Sequence, residues 1–175
     1  MTRPASLDLV RHGLLPLLLG GLLLAGCGGG QGAEPDVPAG QCTAYVEGAV
    51  SDTLRGEARA RRREGALVGL ELGEKEAAGL SIELEPRSPA LRSYDVIDPE
   101  LFDVERSDAP PAVVAFLRLD KADFEATEGT LELTYVGDEQ VGATFRFQMD
   151  GAFREGGSDD VSVEVSGEIN ASAGP

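Results

Sequence analysis

The chain has one histidine, His12, and no tryptophan, and only 5% of its 175 residues are aromatic. His12 lies within the N-terminal apolar leader, so removal of that leader would leave no histidine at all. That excludes Ser-His-Asp and Cys-His catalysis, histidine-ligated zinc and a histidine pH switch together. The lack of tryptophan argues against sugar stacking and against an aromatic membrane belt. There are two cysteines, Cys27 and Cys42. No GxSxG, P-loop or paired CxxC occurs, so the common nucleophile, phosphate and redox motifs are absent.

Basic residues are also scarce. Fifteen Lys and Arg face 31 Asp and Glu, giving a net charge of −16. Such a surface repels nucleic acid and anionic headgroups as a whole. Long apolar runs are missing after the leader. Leu14 to Ala25 holds only Leu, Pro, Gly and Ala, a length that suits a signal-peptide h-region and is too short for a spanning helix. Arg3 and Arg11 supply its basic n-region.

The leader ends in Leu24-Ala25-Gly26-Cys27. This resembles the lipobox of bacterial lipoproteins, in which the cysteine thiol takes a diacylglyceryl group and the preceding peptide is cut. The resemblance covers about the first 27 residues. It implies Cys27 as the lipidated first residue of the mature chain, with two or three acyl chains, enough for stable anchoring. The cell envelope is the expected address. Gly28 after the cysteine, in place of aspartate, favours the outer membrane over the inner. Ordinary secretion with a chance cysteine, or a short buried helix, is the plain alternative.

Three regions follow: a signal peptide at 1–26, the lipidated cysteine and a Gly/Pro-rich tether at 27–40, and one domain at 41–175. Removing residues 1–26, with Arg3, Arg11 and Asp8, leaves 149 residues carrying 13 bases against 30 acids, a net charge near −17. The tether GGGQGAEPDVPAG reads as flexible, with a root-mean-square reach of roughly 20 Å. Once Cys27 is committed to lipid, Cys42 has no disulfide partner and reads as a small buried strand residue.

From Gln41 the apolar pattern has period two. Leu80, Ile82 and Leu84 alternate with Ser81, Glu83 and Glu85; Phe145, Phe147 and Met149 alternate with Thr144, Arg146 and Gln148. Alternation puts one strand face on a core and the other in water. The expected fold is all-β, a single antiparallel β-sandwich or barrel of about nine strands. They are placed near 43–50, 53–62, 66–72, 79–85, 91–97, 112–120, 130–136, 141–150 and 161–170. Gly137-Asp138-Glu139-Gln140 reads as a hairpin turn and 98–111 as loop. Helical turns are expected only at Glu74–Ala78 and Lys121–Phe124. The run Phe124–Ala171, with Gly129-Thr130-Leu131 and Val141-Gly142-Ala143-Thr144-Phe145-Arg146-Phe147, resembles the C-terminal strands of small β-rich bacterial lipoproteins. That supports the fold and the address and implies no activity.

Arg59, Arg61, Arg62 and Arg63 form a basic cluster, a candidate for an anionic partner because guanidinium forks bind phosphate and carboxylate. Internal pairing with strand-face acids such as Glu83 and Glu85 is the plainer reading. Phe116, Tyr135, Phe145, Phe147 and Phe153 either fill a core or line a cavity for a small apolar ligand. Asp138-Glu139 and Asp159-Asp160 offer oxygen ligands without EF-hand spacing and read as solvated turns. The expectation is a non-catalytic, lipid-anchored binding or interaction module without cofactor. A carrier of an apolar ligand is the alternative, and a carboxylate hydrolase a remoter one.

Overall fold

The structure is a computed structural model describing residues 31–74, 78–87, 90–102, 111–154 and 160–173. It is all-β. Its strands are β1 (Gln31–Gly32), β2 (Gln41–Gly48), β3 (Asp52–Arg63), β4 (Ala66–Glu74), β5 (Ala78–Arg87), β6 (Ser93–Val96), β7 (Ala112–Arg118), β8 (Ala122–Val136), β9 (Gln140–Phe153) and β10 (Val161–Ala173). A single 3₁₀ turn, Pro99–Leu101, is the one helical element among the described residues. None of their helices is long and apolar enough to cross a membrane.

Nine strands, β2 to β10, close into a ring. Each long strand pairs antiparallel with the next, and β10 pairs with β2 from Val163↔Gly48 to Asn170↔Gln41 to complete it. The short β6 fits between β7 and β8 where they separate, parallel to β7 and antiparallel to β8. A second parallel pairing joins the end of β10, Ser172–Ala173, to Arg59–Ala60 of β3. The sheet is thus mixed at two short places where the sequence predicts only antiparallel pairs. Both parallel contacts occur where a neighbouring strand is too short to fill the ring.

Alternation explains the core. Ala44, Val46, Leu70, Ile82, Leu117, Leu131, Phe147, Met149, Val165 and Ile169 are enclosed, and the buried apolar residues of the described chain, Ala112 and Val114 apart, form a single cluster. Fully burying each large side chain stabilises by about 1.5–3 kcal/mol. Arg55, Glu57, Arg59, Arg118, Glu125, Arg146 and Glu164 stand outside and exposed. Apolar-in and polar-out is the reverse of a barrel whose outer wall faces lipid.

Three departures from the sequence reading have local causes. Lys121–Phe124, expected as a helical turn, leads into and begins β8, because Ala122, Phe124 and Ala126 alternate with Asp123 and Glu125. The strand was hidden because a bulge after Ala126 leaves Thr127 and Glu128 both exposed. Gly129 follows at φ +130°, where a Cβ would lie 2.2 Å from the Arg146 carbonyl oxygen. Such bulges bend strands and let a sheet close on itself.

Glu74 and Ala78, the ends of the other expected helical turn, are strand residues, and 75–77 lie outside the described residues. The hairpin at Gly137–Gln140 is present, with the Gly137 N–H donating to the Gln140 carbonyl at 2.9 Å.

The third departure is the tether. From Gln31 the chain lies on the barrel. Gln31 and Gly32 pair with Val136 and Tyr135 of β8. Pro35 packs over Gly142, where a Cβ would approach its Cγ to 2.3 Å. The Asn170 amide donates to the Val37 carbonyl at 2.8 Å. The Gly40 N–H donates to the Asn170 carbonyl at 2.7 Å. Composition alone reads these residues as a free linker, but the barrel supplies partners for their backbone groups.

Candidate functional site

Cys27 lies outside the described residues. The four arginines of the basic cluster are described, and they do not converge. Arg59 stands on the outer wall and pairs with Glu57 of its own strand at 2.6 Å. Arg61 lies across Gly69, with its Nε 3.0 Å from Glu71 and a terminal nitrogen 3.4 Å from Glu83. A register shift between Arg61 and Arg62 then breaks the alternation. Past it, Arg62 reaches the β8–β9 turn and donates to the Gly137 carbonyl at 2.6 Å. Arg63 is exposed at the end of β3. The shift divides a run that the sequence presents as one patch.

A groove of about 950 Å³ opens on the outer wall across β3, β4, β5, β7 and β8. Its origin is the outward sequence of these strands. Gly73, Gly79 and Ser81 leave the middle nearly bare, while Arg55 and Arg59 rise on one side and Phe116 and Arg118 on the other. Gly73 has φ +86°, and a Cβ there would meet the Ala78 carbonyl oxygen at 2.6 Å. The backbone path into β5 therefore requires the glycine that empties the floor. Phe116, expected inside, is 38% exposed here. It sits on the outward parity of β7, between the enclosed Ala115 and Leu117.

Asp123 closes the groove's far edge. Arg154 donates to it from Nε at 2.7 Å and from a terminal nitrogen, and Arg118 lies 3.5 Å away. The hydrogen bond from Arg154 is the largest cause holding the Asp123 carboxyl below its usual range. The group therefore stays ionised, the opposite of what a general acid needs. The groove offers an aromatic face, guanidinium donors and carboxylate acceptors. It is equipped to bind by stacking and hydrogen bonding.

The remaining aromatic candidates lie as a core requires. Phe145 and Phe147 stack inside the barrel with centroids 5.3 Å apart, and Phe153 packs against the core. Tyr135 is half-buried beside Gly137. Cys42 is enclosed, its Sγ 3.6 Å from the Gly56 carbonyl oxygen, and burial pushes its thiol pKa up. A thiol held protonated is a poor nucleophile.

Asp138, Glu139 and Asp160 are exposed, and Asp159 lies outside the described residues. Among the described residues no three His, Cys, Asp or Glu side chains gather to hold a metal. The groove and the clipped tether are what sequence reasoning missed. The outward Gly73-Gly79-Ser81 set was its available signal. No protein-family model, curated protein or solved structure matches the chain.

Proposed function

We propose that the chain is a lipid-anchored cell-envelope protein, held through acylated Cys27 with the outer membrane favoured. Its barrel serves as a non-catalytic binding module for an envelope protein. One observation carries the binding reading: the inward side chains form one apolar cluster, while the outer wall carries a groove. Phe145, Phe147 and Met149 belong to the enclosed apolar cluster, which supports a core for these side chains; the carrier of an apolar ligand stands as the alternative. The outer groove presents Phe116 among guanidinium groups over a bare floor, a pairing of residue types enriched at binding surfaces. The Leu24–Cys27 motif supports the anchor.

The test has two parts. Radiolabelled palmitate should enter the native chain, and Cys27→Ser should abolish the label and move the protein out of the membrane fraction. A photo-crosslinking residue at Phe116 should give a discrete adduct in intact cells. The same residue at exposed Gln148 on β9 should not. Palmitate incorporation unaffected by Cys27→Ser would refute the anchor, and equal adducts from both positions would refute the groove.

A further inference from the structure

We infer that the outer wall of β8, β9 and β10 carries a peptide-binding slot, that residues 33–40 fill it in cis as a replaceable occupant, and that its partner is an extended, proline-containing segment with basic side chains. This site depends neither on the groove across Gly73 and Gly79 nor on the anchor.

The slot follows from strand register. Tyr135, Gly142 and Asn170 stand side by side on β8, β9 and β10. Gly142 lies between the enclosed Val141 and Ala143, so it faces outward. With no side chain there, Tyr135 and Asn170 flank a gap one strand wide. Pro35 occupies that gap: a Cβ on Gly142 would lie 2.3 Å from the Pro35 Cγ and 3.0 Å from the Tyr135 Cβ. The next two residues are held by their backbone. The Asp36 N–H donates to the Glu168 carboxylate at 3.0 Å, and the Val37 carbonyl accepts from the Asn170 amide at 2.8 Å. Extended proline-containing segments suit such sites because their backbone is already ordered before binding.

Two observations make residues 33–40 an imperfect match for the slot. Asn170 is only 5% exposed, and its Oδ1 has no hydrogen-bond partner. Burying that acceptor leaves its lost hydration uncompensated. Asp36, bound to Glu168 through its N–H, also brings one carboxylate beside another, and Glu34 adds a third acid. The residues opposite Glu168 on the flanking strands, Thr144 and Thr43, are neutral, so no cross-strand base offsets it. A lysine in place of Asp36 turns that repulsion into attraction, and a donor reaching Oδ1 removes the other cost. Residues 33–40 hold the slot because they are joined to β2 and compete at high effective concentration.

The test uses the full chain in detergent and a fluorescein-labelled peptide, AKPKVPAG, which is residues 33–40 with both acids replaced by lysine. Pro35→Gly withdraws the ring and opens the slot. By fluorescence anisotropy the peptide should bind Pro35→Gly about tenfold or more tighter than the parent. Adding Gly142→Ala, with the far-UV circular dichroism spectrum unchanged, should refill the slot and remove about tenfold of that affinity. The peptide AKGKVGAG has the same charge and no proline, and the parent sequence AEPDVPAG has the prolines and no lysine; each should bind about tenfold more weakly than AKPKVPAG. Equal binding of AKPKVPAG and AKGKVGAG, or binding indifferent to Gly142→Ala, reduces the effect to general attraction for a cationic peptide and overturns the slot. Equal binding of AKPKVPAG and AEPDVPAG overturns the basic partner. A second variant needs no peptide and leaves the slot intact: Asp36→Lys in the full chain should slow amide exchange across residues 33–40 by about tenfold. Unchanged or faster exchange there overturns the charge mismatch.

Discussion

Gly151 sits where β9 crosses Phe124 of β8, and a Cβ there would lie 2.1 Å from the Asp123 carbonyl oxygen and 2.7 Å from the Phe124 ring. Backbone cannot move away as a side chain can. Gly151→Ala should therefore cost about 2–4 kcal/mol, read as a lower urea midpoint. Gly56 is the contrast, since its nearest neighbour would be Gly73 Cα at 3.5 Å. Gly56→Ala should stay within about 1 kcal/mol of the parent in the same titration.

Cys42 allows a pH test. Its folded pKa is raised above 9.0 by burial, so the folded state holds the proton more tightly than the unfolded chain. That contribution is full below the unfolded value and is lost as pH rises through the folded one. Stability should fall above about pH 9 in the parent and fall less in Cys42→Ala. At pH 8 a thiol reagent should react only as fast as the protein unfolds. Cys42 was legible at this scale, because a small residue in an alternating run implies burial. Phe116 was not, because hydrophobicity suggests an inward side chain while the parity of β7 turns it out.

Among elements, the alternating strands were legible because each buries one face. What escaped was where alternation breaks. The bulges after Arg61 and Ala126 shift parity by one residue, which split the arginine run and hid the first half of β8. The docked segment 31–40 escaped for a different reason. Its glycines and prolines have no periodicity, and its attachment depends on partners far along the chain, Asn170 above all. Asn170→Ala should cost about 1 kcal/mol and should speed amide exchange across residues 33–40, while exchange in β4 and β5 stays unchanged. Unaltered exchange at 33–40 would show that the asparagine does not hold the segment.

At the scale of the whole molecule, ring closure joins β10 to β2, elements more than a hundred residues apart. Sequence periodicity predicts strands but does not choose between two packed sheets and one closed one, because both need the same alternation. Closure came from the register of that last pairing and from the bulges that curl the sheet. Closure also sets which side chains face one another inside, Phe145, Phe147 and Met149 among them. The proposed function sets this barrel, without a carried ligand, on an acyl anchor.

Native mass spectrometry of the protein extracted from its own membrane tests that claim most directly. The account predicts a chain beginning at Cys27, carrying covalent diacylglyceryl or triacyl mass and no further small molecule. A chain beginning elsewhere without lipid, or a bound mass of a few hundred daltons released on denaturation, would contradict it.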